Sequence, residues 1–221
     1  MSHSLWTTFD REFAQIQESL LQMGLMVDQA IALSLESLQN RDHALAKQVI
    51  DDDEEINAIR FKIEDACLAL IATQQPAASD LRSVVAVITI VINMERMADH
   101  AAGIAKTVIL MGDEPLLKPL IDIPRMVRLA QEMLGEVLQA FVDNDADTAQ
   151  AIADRDDEMD HLYQAIFEEL LEIMADKPDS IERATYLLWC AHNLERIGDR
   201  VTNIAERVIF VSTGDMRELN V

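Results

Sequence analysis

Helix breakers are scarce in this chain. Six glycines and five prolines serve 221 residues, too few for a sheet protein with many turns and consistent with long helices. Aromatic residues make up only 5%, and Ala, Leu, Ile and Met fill the apolar positions instead, which again suits helices. There are two cysteines, Cys67 and Cys190, both in apolar stretches and without a metal-type spacing. They read as core thiols of a reducing compartment. Positive charge is also short, with 18 Lys and Arg against 40 Asp and Glu, a net charge of −22. Acids outnumber bases in both halves, so direct nucleic-acid binding and an anionic membrane surface are disfavoured. Cations, basic protein patches or metal ions are the natural partners. The longest apolar run, Val84–Ile92 with Thr89 inside it, is short of the roughly 20 residues a bilayer crossing needs. Residues Met1–Trp6 lack a basic segment followed by an apolar one, so no signal peptide is expected. A soluble, cytoplasmic chain without membrane insertion follows, and no glycine-rich phosphate loop is present.

What is there is helical periodicity. Phe9, Phe13, Ile16, Leu20, Met23, Val27, Ala30 and Leu38 recur at alternating spacings of four and three, a bundle seam ending near Asn40. Asp42 can cap a second helix carrying Val49, Ile56, Ile63 and Leu70, which ends before Pro76. A third helix begins at Ser79-Asp80 and carries Val84, Ile88, Val91, Glu95, Ala98, Ala102 and Ile109. Gly112, Pro115, Pro119 and Pro124 then punctuate the chain. Three more helices are expected at about 124–142, 145–175 and 179–211.

The second trio copies the first. Asn93-Met94-Glu95-Arg96-Met97-Ala98-Asp99 matches Asn193-Leu194-Glu195-Arg196-Ile197-Gly198-Asp199 at an offset of 100, and Val49, Asp53, Ile56, Ile63 and Leu70 match Ile152, Asp156, Met159, Ile166 and Ile173 at 103. So long a period is not a solenoid. The expected fold is all-α: two tandem antiparallel three-helix bundles related by internal duplication, residues 1–114 and 115–221.

Acids interrupt the seams. Glu95 and Glu195 take core-type positions, as do Asp53 and Asp156; Asp99, Asp199 and Asp160 each follow one turn later, with Asn57 standing where Asp160 would be. Counting residues from each interhelical break puts Asp53 level with Glu95, and Asp156 within a turn of Glu195. Each bundle should therefore collect carboxylates between its second and third helices. Clustered carboxylates must bind protons, cations or arginines. An oxygen-rich set selects magnesium, manganese or iron, with zinc also in range. Arg60, Arg96 and Arg196 offer the alternative of salt bridges without metal.

Gln74-Gln75-Pro76-Ala77-Ala78-Ser79-Asp80-Leu81-Arg82, with Asn93–His100 and Asn193–Arg200 and then Asn203-Ile204-Ala205-Glu206, resembles the PhoU family over nearly the whole chain. The resemblance implies two three-helix bundles and iron or zinc on acid pairs of the form Glu/Asp-x-x-x-Asp. Here those are Glu95/Asp99 and Glu195/Asp199, with Asp156/Asp160 and the departing pair Asp53/Asn57 on the adjoining helices. His100 joins the first set, whereas its counterpart Arg200 cannot ligate a metal. It implies no enzyme but a negative regulator of phosphate uptake and of the phosphate-starvation response. Such a regulator is an adaptor between the high-affinity phosphate ABC transporter and its sensor histidine kinase, peripheral to the membrane through them, and a homodimer.

Two rivals carry different expectations. A di-iron carboxylate enzyme needs two Glu-x-x-His pairs, and the chain has one such spacing, Glu158/His161. A helical bundle with salt-bridged acids, or a metal-binding bundle of another role, keeps the fold and loses the phosphate function. Ser34, Ser37 and Thr89 have no neighbouring base and read as filler. Trp6 and Trp189 are expected to pack, and His43 and His192 to be ordinary helix residues.

Overall fold

Side-chain caps open three helices of this computed structural model, of which residues 7–215 and Leu219 are described; Trp6 lies outside them. Helix α1 (Thr8–Asn40) opens on a capping box in which Thr7 and Asp10 bond each other's backbone N–H. Asp42 caps α2 (His43–Gln74) by accepting from Ala44 and Leu45 N–H. Helix α3 (Ser79–Met111) ends at Gly112, and α4 spans Asp122–Asp143. Asp145 then caps α5 (Ala146–Ala153), α6 covers Asp156–Asp176, and α7 covers Ile181–Thr213 behind a short 3₁₀ turn at Pro178–Ser180. No strand occurs among the described residues.

The expected fifth helix is two helices. The chain turns at Asp154-Arg155, where the Arg155 guanidinium bonds Glu132 at 2.7 Å and Glu136 at 2.9 Å on α4. Asp156 thereby becomes a first-turn residue of α6 beside Asp157 and Glu158, where negative charge suits the helix dipole. The first copy has no such break: α2 runs straight through the aligned positions Asp51 and Asp52.

Most seam positions read from the sequence are buried, although Ile109 is 41% exposed. Leu20, Met23, Val27, Ile31 and Leu38 of α1 are completely buried, as are Met126, Ala130 and Val137 of α4. Ser34 and Ser37 are buried too, and each hydroxyl is satisfied by donating to a carbonyl one turn back, of Ile31 and Ser34. Trp189 does not pack as expected; it is 47% exposed, edge-on to Tyr186.

Helices α3 and α7 are buried on two sides because each packs within its own bundle and against the other, the most extensive helix pairing in the molecule. They run antiparallel: Asn203 Nδ2 donates to Asn93 Oδ1 at 3.5 Å, while His100 Nδ1 lies 3.0 Å from Asn193 Oδ1. Gly103 faces Asn193 so closely that a Cβ there would sit 2.9 Å from its Oδ1. The pairs 93/203 and 193/103 exchange under the offset of 100, so the shared wall has approximate two-fold symmetry.

Candidate functional site

Helical hairpins bring the acids together at the predicted heights. In the first bundle Asp53 of α2 feels both Asp99 and Glu95 of α3; burial, then Asp99, then Glu95, push its carboxyl above the usual range, while Lys106 opposes them. Glu95 is only 7% exposed. Arg60 Nη1 approaches its Oε1 at 3.8 Å and Arg96 Nε its Oε2 at 3.6 Å, while Arg96 also bonds Asp99 at 3.2 Å. These contacts leave hydrogen-bonding capacity unused: Asp53 Oδ1 and Glu95 Oε2 are buried without a hydrogen bond.

The second bundle repeats the arrangement more tightly. Burial first, and then Asp199, push Glu195 up to about 7 against the opposing Arg196, with Asp160 and Asp156 adding to the rise. Asp160 is raised as well, by burial and then by Asp199 and Asp157. Arg196 Nε stands 2.9 Å from Glu195 Oε2 and its Nη1 2.8 Å from Asp199 Oδ2. Glu195 Oε2 still lacks a well-directed hydrogen bond. Asp156 is buried, and Gly198 makes room for it: a Cβ at that position would lie 2.9 Å from Asp156 Oδ1 and 3.0 Å from Met159 Cγ. Glycine at 198 is therefore what lets α7 approach α6 at the acids.

Two expected ligands have hydrogen-bond partners outside the acids. Asn57 turns its amide to its own helix, donating to the Asp53 carbonyl at 3.4 Å. His100 reaches across the shared wall to Asn193 in the other bundle. Sequence reasoning missed that His192 lies 3.6 Å from Glu195. Burial, then the Arg196 charge, then His100, hold its pKa down. It also missed Lys106 facing Asp53; the lysine's charge was visible, its direction was not.

Of the two neutralising devices anticipated from the sequence, the arginines stand at these acids. Arginines sit at the rim, yet Asp53 Oδ1, Glu95 Oε2 and Glu195 Oε2 accept no hydrogen bond and the carboxyls repel one another. That donor set fits a hard or borderline divalent cation. Among the described residues no group of three or more His, Cys, Asp or Glu side chains is placed to hold a metal ion.

Glu158 and His161 are exposed, and His161 Nδ1 is occupied by the Asp157 carbonyl at 2.5 Å, so the single Glu-x-x-His pair does not face the acid cluster. Cys67 and Cys190 are buried, and burial pushes both thiols up to about 12, which makes them inert. No helix among the described residues is long and apolar enough to cross a membrane.

Comparison with known proteins agrees with this geometry. The family model of the PhoU domain matches twice, at residues 20–108 and 123–208. A Rhizobium meliloti protein named phosphate-specific transport system accessory protein PhoU homolog is 37% identical over 216 residues, 97% of this chain and 91% of that protein. The protein of the same name from Streptococcus pneumoniae is 35% identical over 96% of this chain and 98% of its own length. Among solved structures, the phosphate transport system regulatory protein PhoU from Streptococcus pneumoniae superposes with a TM-score of 0.89 at 33% identity, covering 96% of this chain and all of that one. PhoU from Pseudomonas aeruginosa gives the same TM-score and identity over 94% of this chain and all of that one.

Proposed function

The chain belongs to the PhoU family, and from that premise we propose that it is an accessory and regulatory protein of phosphate transport. The observation that carries this reading is end-to-end similarity: relatives named for that role align over nearly their full length as well as this chain's. Within that role we assign it negative control of phosphate uptake and of the starvation response. It acts in the cytoplasm as a homodimeric adaptor between the high-affinity phosphate ABC transporter and its sensor histidine kinase. An all-helical surface with net charge −22 supports docking on basic protein patches over catalysis.

Iron or zinc belongs to this proposal. Asp53, Glu95 and Asp99 would hold a cation in the first bundle, and Asp156, Asp160, Glu195 and Asp199 in the second. A bound divalent cation supplies positive charge that relieves carboxylate repulsion and ties neighbouring helices together. The chain's own part is to bring the acids together across each hairpin and to bury Glu95 and Asp156 and most of Glu195, where charge interactions are stronger.

The test is genetic. The gene is deleted in its host, cells are grown in abundant phosphate, and secreted alkaline phosphatase reports the starvation response. Derepression that the wild-type gene reverses is the expected result. A silent reporter in the deletion strain would refute the regulatory assignment while leaving the fold intact.

A further inference from the structure

One pair of positions distinguishes the two bundles at the cleft between their first and second long helices. In the second bundle Lys118, just ahead of α4, is ion-paired with Glu169 on α6. Residues 118–123 lie against Ile166 and Leu170 there, leaving a void of only about 10 Å³. The offset of 103 brings the ends of α1 and α4 into register: left-handed Arg41 falls on left-handed Asn144, and the cap Asp42 on the cap Asp145. The same offset carries Lys118 onto Gln15 and Glu169 onto Ala66. A glutamine and an alanine cannot form that clasp.

At the corresponding place the first bundle has an open groove of about 700 Å³ between α1 and α2, lined by both Gln15 and Ala66. Its floor is apolar, made by Ile16, Ile59, Ile63 and Leu70, and Ala66 and Ala69 keep the α2 wall low. The α1 wall carries Glu12 and Glu18, and the α2 wall Lys62. At 1.5 Å per residue, the α1 wall from Glu12 to Gln22 is about 15 Å long and the α2 wall from Ile59 to Thr73 about 21 Å, the length of three to four helical turns. An apolar floor between polar walls takes an amphipathic helix through anchors spaced i, i+3, i+4 and i+7. The acids of the α1 wall, on a chain of net charge −22, select a basic edge on that helix.

The geometry points to this groove as the docking site for a partner protein's basic amphipathic helix of three to four turns, its lysines or arginines meeting Glu12 and Glu18. This deepens the proposed function and rests on reading the chain as an accessory protein that acts by docking. In the second bundle the segment 118–123 and the Lys118–Glu169 pair fill the corresponding place, so the first bundle, and not the second, is able to receive it.

The test uses the full chain and a fluorescein-labelled helix of about 14 residues, leucines on one face and lysines on the other. Controls are a peptide of the same composition in scrambled order and a leucine–glutamate helix, with binding read by fluorescence anisotropy at physiological ionic strength. Gln15→Lys/Ala66→Glu rebuilds the clasp without altering net charge, and Ala69→Trp fills the groove by another route; circular dichroism checks that both fold. The basic helix should bind the wild-type chain at least about tenfold more tightly than either control, and each folded variant should weaken it by about tenfold or more. Equal binding of the scrambled peptide, or undiminished binding to a folded variant, overturns the proposal. So does self-association of the wild-type chain that the variants abolish, which would give the groove to a second copy. Tightening on removal of residues 1–6 overturns it too, by giving the groove to the chain's own leader. A silent deletion strain with intact peptide binding would sink the phosphate role and leave the groove; lost peptide selectivity with a responsive reporter would sink the groove alone.

Discussion

Glu195→Gln separates the two ways in which the acid clusters can be neutralised. Burial and the Asp199 charge carry the Glu195 pKa from 4.5 to about 7, and its side chain is only 13% exposed. A raised carboxyl pKa means that the folded chain holds this proton more tightly than the unfolded one. The stability involved is fully present below pH 4.5 and is lost as pH climbs through 7, flat thereafter. At 1.36 kcal/mol per tenfold change, the loss is about 3 kcal/mol at most. Glutamine keeps the shape of the neutral acid and cannot ionise. The metal-free variant should therefore match the wild-type chain near pH 4.5 and exceed it by about 1–3 kcal/mol at pH 8. Urea unfolding followed by circular dichroism, after chelation, measures both. Adding zinc or iron(II) at pH 8 should then stabilise the wild-type chain more than the variant, because a cation that binds only the folded acids shifts unfolding by mass action. A variant that loses stability between pH 4.5 and 8 as steeply as the wild-type chain would refute the reasoning, since Arg196 would then already compensate the charge.

Gly198→Ala places a methyl 2.9 Å from Asp156 Oδ1 and 3.0 Å from Met159 Cγ; Met159 can yield only partly, so a loss of about 1–3 kcal/mol is expected in denaturant unfolding, together with weaker metal retention. Arg155→Ala removes two half-exposed ion pairs that hold the turn between α5 and α6 against α4; about 0.5–1 kcal/mol should be lost at low ionic strength, and the difference from wild type should shrink in high salt.

The helical hairpins were legible because their information is local or repeated. Apolar spacing gave the seams, and counting residues from the Gln75-Pro76 break placed Asp53 beside Glu95 and Asp99, where their mutual repulsion now locates them. The turn at Asp154-Arg155 was not legible, because Ile152 and Met159 stay seven residues apart on either side of it and the apolar period never falters. What makes the turn is a polar contact between Arg155 and two glutamates 19 and 23 residues earlier. The direction of His100 was hidden for a related reason. Its partner Asn193 is 93 residues away on the other bundle, and a reading that builds each bundle separately has no view of the wall between them.

Duplication explains why one copy could be read from the other, and divergence between the copies explains where that stops. Positions that make the bundle are nearly interchangeable: Leu20 with Ile123, Met23 with Met126, Ile63 with Ile166, all of them buried. Positions assigned above to the proposed cation sites and groove are not. Asn57 stands against Asp160, His100 against Arg200, Gln15 and Ala66 against Lys118 and Glu169. Packing constrains both copies alike, because each must bury the same kind of seam. A groove needed once, or a second acid needed once, is under no such constraint. The two bundles are therefore structural equivalents with different surfaces: the second has the fuller carboxylate set and a clasped cleft, the first an open cleft and one acid fewer. The proposed adaptor role, with two unlike partners, requires that asymmetry.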